Sequence, residues 1–118
     1  MMDAPYQRRL LELAAKAAGY DVTWNEQWPC FQHRNPRPDS LGVVRHPWVP
    51  NDGDSDSRRL QVALELELRV FNGKAHAGKQ DQFWITEDWF PDGDPNAASR
   101  LAVLRAAAAI WEKMGAKP

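Results

Sequence analysis

Between residues 6 and 18, the apolar side chains Leu10, Leu11, Leu13, Ala14, Ala17 and Ala18 recur at helical intervals, and Gly19 follows them. This spacing gathers one face of an α-helix, and a glycine just past the last turn suits its termination. The next segment changes period: Tyr20, Val22 and Trp24 alternate with Asp21, Thr23 and Asn25. A two-residue repeat is that of a half-buried strand, and residues 30–34 are its expected hairpin partner. Between 35 and 50 stand four prolines, Pro36, Pro38, Pro47 and Pro50. They remove backbone donors and fix φ, so this segment reads as a loop with a short strand at 41–45.

Two acidic turns, Asp52-Gly53-Asp54 and Asp92-Gly93-Asp94, each precede a helical pattern. The first introduces a helix from about residue 55 to about 65, with Leu60, Ala63 and Leu64 inward and Asp54, Ser55 or Asp56 capping its free amides. Leu64, Leu66, Leu68 and Val70 then alternate with Glu65, Glu67 and Arg69, which predicts a strand to about residue 71. Asn72-Gly73 begins a polar turn, and residues 82–87 form a further strand with Phe83 and Ile85 on one face. The second acidic turn opens the longest helix. Asp94 is its expected cap, Pro95 sits where a missing amide costs nothing, and Ala97, Leu101, Leu104, Ala108, Ile110, Trp111 and Met114 form its apolar stripe up to Gly115. Ala102, Ala106, Ala107, Ala108 and Ala109 would let that helix lie close against a sheet.

The order is helix, two strands, loop, helix, two strands, helix. It predicts an α+β fold, a compact helix/sheet/helix sandwich with a mainly antiparallel sheet of about three to four strands. A chain of 118 residues fits a single domain over 1–118. The formal net charge of −1 offers no overall attraction to nucleic acid or to an anionic membrane. Its distribution is uneven: residues 51–95 hold ten acids against five bases, and 96–118 four bases against one acid. The single cysteine, Cys30, excludes an internal disulfide and fits a reducing compartment. No apolar run approaches the roughly 20 residues that cross a bilayer, and no leader pattern opens the chain, so a soluble cytoplasmic protein is expected.

Four groups of residues invite chemistry. Asp52, Asp54 and Asp56 alternate as in a calcium loop, but Ser57 stands where that loop needs glycine and Ala63 where it needs the closing glutamate, so helix capping is the better reading. Cys30 and His33 have the spacing of half a zinc site; His46 and His76 stand alone, and no second pair completes four ligands. No catalytic set, cofactor site or metal site follows from these residues. Six tryptophans, Trp24, Trp28, Trp48, Trp84, Trp89 and Trp111, are many for this length. Trp24 and Trp111 read as core. Trp28, Trp48 and Trp89 fall in loops, where packing competes with a role as partner anchors. Around them His33, Arg34, Arg37, Arg45 and His46 interleave with Phe31, the arrangement of cations beside stacking rings used in single-strand nucleic-acid binding. The candidate partner-binding set is therefore Trp28, Arg34, Arg37, Arg45, Trp48 and Trp89.

The stretch Trp48-Val49-Pro50-Asn51-Asp52-Gly53-Asp54, running on into Leu60-Gln61-Val62-Ala63-Leu64, resembles small phage and prophage proteins of the ABA sandwich type, related in pattern to the NinX-like group. The run from Asn96 to Ala108 is similar to their C-terminal helix, and Leu10 to Tyr20 to their first. The proline-rich loop at 35–50 is longer than theirs. The resemblance implies a mobile-element origin and helix, sheet, helix layering, and it carries no activity onto any residue. The reading that follows is a non-enzymatic phage or prophage accessory protein, cytoplasmic in a bacterial host, that binds a host protein and inhibits a bacterial immune system in the manner of an anti-CRISPR. The alternative is a small nucleic-acid or nucleotide binding module that uses the loop tryptophans and arginines.

Overall fold

The C-terminal helix α3 (Pro95–Gly115) is the element on which the other two helices and the C-terminal sheet meet. The structure is a computed structural model, and it describes residues 4–27, 30–33, 37–39, 42–44, 47–51, 53–79, 82–89 and 93–115. Asp94 caps α3 as the sequence predicts: its Oδ1 accepts the Asn96 N–H at 2.9 Å, while Pro95 fills the position with no amide to satisfy. Ala98, Ala102, Val103, Leu104, Ala106, Ala107 and Ala108 are all buried. They lie all around the helix rather than along one stripe, because α3 touches α1 (Ala4–Ala18), α2 (Asp54–Ala63) and all three strands of the C-terminal sheet. Polar ties add to this packing. Arg100 donates to the Asn51 carbonyl at 3.2 Å and to Asp54 at 2.7 Å, and Arg105 pairs with Glu87 of the sheet.

The fold is the α+β helix/sheet/helix sandwich that the patterns predict, and every described strand pairing is antiparallel. One sheet has the order β1-β2-β5, from β1 (Val22–Asn25), β2 (Cys30–His33) and β5 (Pro47–Trp48). A separate hairpin joins β3 (Arg37–Asp39) to β4 (Gly42–Val44), so the short strand expected at 41–45 is present as β4, and the proline-rich segment also holds β3 and β5, which the pattern did not show. The C-terminal sheet has the order β6-β7-β8, from β6 (Glu67–Phe71), β7 (Lys74–Lys79) and β8 (Phe83–Asp88).

Its central strand, β7, is the element absent from the sequence reading, which continued the turn through it. The sequence Lys-Ala-His-Ala-Gly-Lys lacks the branched and aromatic residues that mark strands. Small side chains are what the position requires: Ala75 and Ala77 are wholly buried, and α3 packs on β7. Gly78 is required for a different reason, since a Cβ there would meet the Phe83 carbonyl oxygen at 2.1 Å. Asn72 and Gly73 both have positive φ, 53° and 74°, which makes them the two-residue turn whose twist matches the strands it joins.

The start of α2 also differs from expectation. Gly53 is its N-cap, and no side chain caps it. Asp56 turns back instead to accept the Val49 N–H at 2.9 Å, and Asp54 pairs with Arg100. Both acids still lie in the first turn, where their charge suits the helix dipole.

The ends of α1 and α2 share one geometry. After α1, Tyr20 N–H donates to the Ala15 carbonyl and Gly19 N–H to that of Lys16; after α2, Leu66 N–H donates to Gln61 and Glu65 N–H to Val62. Each is a Schellman closure, with one left-handed residue between the two bonds. Gly19 holds φ 76° in the first and Glu65 holds φ 55° in the second. Only the glutamate carries a Cβ penalty there. Glu65→Gly is therefore expected to raise stability by roughly 0.5 to 1 kcal/mol, and Gly19→Ala to lower it by about 1 kcal/mol. Asp94→Ala should cost about 1 kcal/mol through the lost cap. Urea denaturation of the three variants checks all three signs, and a Glu65→Gly midpoint at or below wild type contradicts the strain at 65.

Candidate contact surface

The residues singled out from the sequence do not form one site. Trp28, Arg34 and Arg45 lie outside the described residues, as does His46, and Arg37 stands in β3. Trp48 is a correction: it is 1% exposed and among the largest fully buried side chains. Register explains why, since Trp24 faces Phe31 across β1 and β2, and Phe31 faces Trp48 across β2 and β5. The three rings thus occupy one row of one sheet. Tyr20 closes the row edge-on, 5.8 Å from Trp48, and Phe31 meets Trp24 edge-on at 5.0 Å. Burial pushes the Tyr20 pKa up, opposed by the nearby Arg59. Trp89 is half-buried against the core; its backbone N–H donates to the Gly73 carbonyl at 2.9 Å, and a Cβ at Gly93 would meet its carbonyl oxygen at 2.6 Å. It belongs to the frame.

A cleft of about 590 Å³ lies between α1 and β1, lined among others by Arg8, Glu12, Lys16, Asp21, Trp24 and Glu26. The Arg8 guanidinium covers the Trp24 ring at 4.4 Å, and Glu12 pairs with Lys16 at 3.5 Å. Small-molecule sites are mostly apolar with a few aimed polar groups, whereas five of the eleven residues lining this cleft are charged, of both signs. Elsewhere, Asp54 and Asp56 are engaged by Arg100 and Val49, and Cys30 is a free, half-buried thiol. Among the described residues no three His, Cys, Asp or Glu side chains could jointly hold a metal ion.

The outward face of β6-β7-β8 has a different composition. α3 packs on these strands, and Ala75 and Ala77 face the core, so the alternate residues face out. These are Glu67, Arg69 and Phe71 on β6, Lys74, His76 and Gly78 on β7, and Trp84, Thr86 and Asp88 on β8. Phe71 is 50% exposed and Trp84 38% exposed. His76 lies against Phe71 with ring centres 5.0 Å apart, and Arg69 lies over Trp84 at 5.2 Å. Arg69 and His76 are register neighbours, so the two stacks join into a strip running diagonally across the sheet. His76 Nδ1 is hydrogen-bonded to the Thr86 hydroxyl at 2.9 Å. Ion pairs flank the strip, Lys74 with Asp88 at 2.8 Å and Glu67 with Arg69 at 3.1 Å.

The sequence reading missed this strip because β7, which joins its halves, was missed. The signal was present in Asn72-Gly73 between two runs of alternating residues, a strong hairpin mark. Comparison with protein-family models, with curated proteins and with solved structures finds no match for this chain.

Trp48→Ala should cost roughly 3 to 5 kcal/mol, as expected for a large aromatic in a core. Trp84→Ala, on the open face, should cost about 1 kcal/mol or less. Equilibrium unfolding of the pair checks the assignment, and equal losses would contradict it.

Proposed function

We propose that this chain is a binding protein without chemistry of its own, and that it meets a protein partner through the outward face of β6-β7-β8. The observation that carries this reading is the exposure of Phe71 and Trp84 on one face of the sheet with Arg69 and His76 stacked against them. Aromatic rings and arginine are the residues that dominate protein interfaces, and two-χ side chains lose little entropy on contact. Charge favours a protein over a nucleic acid as the partner. Arg69 and Lys74 are each paired with a carboxylate, and the chain carries a formal −1. Phosphate binding draws its affinity from unpaired cations, whereas a neutral aromatic face suits a protein surface. The resemblance in the helical segments extends the proposal to a phage or prophage accessory protein acting in the bacterial cytoplasm, with a host protein, a component of bacterial immunity first, as the partner to screen.

The test compares capture from bacterial lysate by three immobilised forms: wild type, Phe71→Ala with Trp84→Ala, and Arg34→Ala with Arg45→Ala. A protein retained by the wild type and the loop variant but lost by the sheet variant is the expected result. Loss confined to the loop variant, together with salt-dependent binding of a single-stranded oligonucleotide, would transfer the function to the loop and to nucleic acid.

A further inference from the structure

Phe71 lies one outward position beyond Arg69 on β6, Arg69 pairs with His76 on β7, and Trp84 on β8 pairs with Gly78, one outward position beyond His76. Phe71, His76 and Trp84 therefore stand on one diagonal of the sheet, one ring from each strand. Neighbouring strands lie about 4.8 Å apart and alternate residues about 6.8 Å apart, so the diagonal advances by about 8.3 Å from one ring position to the next. Gly78 leaves the middle of its row without a side chain, and Arg69 reaches across it to lie 5.2 Å from the centre of the Trp84 ring. Each outer ring is thus propped on one side, Phe71 by His76 and Trp84 by Arg69, and both stay exposed.

The hydrogen-bonding capacity left over at Arg69 and Trp84 is donor only. Among the described residues nothing accepts from the Trp84 indole N–H, and Arg69 engages Glu67 through one guanidinium nitrogen at 3.1 Å. Indole and guanidinium groups have no acceptor to offer. The main chain of β7 beneath them is consumed by pairing on both sides. A matching ligand repeats a flat apolar group at the step of the diagonal and brings free carbonyl oxygens with few N–H groups. An α-helix repeats about every 5.4 Å and bonds most of its own carbonyls. An extended strand repeats about every 6.8 Å and carries an N–H on each residue, for which this face has no row of acceptors. A polyproline II segment advances about 9.3 Å in its three-residue turn, its carbonyls are free, and its prolines have no N–H.

We propose, resting on this face being the contact surface, that the strip seats a proline-rich segment of the partner in the polyproline II conformation. Every third residue is a proline lying against Phe71, His76 or Trp84, and the Trp84 indole and Arg69 donate to its carbonyls. Such a segment is extended before it binds, so little ordering entropy opposes a contact of small area. Lys74 and Asp88, paired with each other, border the seat without adding net charge, which suits an uncharged ligand.

The test is a nitrogen-proton NMR titration of the full chain with a ten-residue oligoproline, a glycine-serine peptide of the same length and a single-stranded oligonucleotide. Oligoproline should shift the Trp84 indole N–H and the Phe71 and His76 amides saturably, the glycine-serine peptide should shift none of them, and Trp84→Ala should bind oligoproline roughly tenfold more weakly or worse. Oligoproline shifts confined to other residues overturn the proposal, as do strip shifts produced by the oligonucleotide and not by oligoproline. Oligoproline that leaves the strip unmoved overturns it too, and if Phe71→Ala with Trp84→Ala still loses a captured protein, the contact surface stands and only the proline-rich ligand falls.

Discussion

All-round burial of α3 is the constraint on which the other elements depend. A helix touched by two helices and a sheet can carry large side chains on few of its positions, since backbones must approach closely on several sides. Alanine supplies that closeness at 98, 102, 106, 107 and 108, with Val103 and Leu104 as the larger packing residues. The requirement passes to the sheet. β7, on which α3 packs, answers with Ala75 and Ala77. Because α3 and its partners cover only the inner side of β6-β7-β8, the bulky residues of that sheet are free to stand outside.

The helices and their ends were legible in the sequence because their signals are local. Leu10 to Ala18 repeat at helical spacing, Gly19 stops the helix, and Asp94-Pro95 opens the last one. What was not legible depended on partners distant in sequence. β7 carries alanine and glycine because of α3 and of the Phe83 carbonyl, and its six residues include none of the branched or aromatic side chains that mark strands. Trp48 lies in a two-residue strand behind a proline, and only pairing with Phe31 puts it in the core. The acidic residues before α2 read as caps, yet Asp56 is drawn to Val49 and Asp54 to Arg100, two bonds that the tertiary fold creates.

The same dependence moved the candidate site. Rings interleaved with cations were visible in the proline-rich loop, where the sequence alone places Trp28, Arg34, Arg37, Arg45 and Trp48 near one another. In the fold that combination is realised on the sheet, by Phe71, His76, Arg69 and Trp84, which lie up to 15 positions apart in the chain and meet only through the β6-β7-β8 register. Frame and surface are thereby divided between two aromatic groups. The row Trp24, Phe31 and Trp48 with Tyr20 belongs to the N-terminal sheet and packs it, while the diagonal strip belongs to the C-terminal sheet and remains open.

Hydroxyl-radical footprinting tests the central claim most directly, since it reports side-chain exposure ring by ring, free and in complex with the captured partner. The account predicts strong labelling of Phe71 and Trp84 in the free protein, protection of both in the complex, and little labelling of Trp48 in either. Unchanged labelling of Phe71 and Trp84 on partner binding, with protection appearing elsewhere, would contradict it.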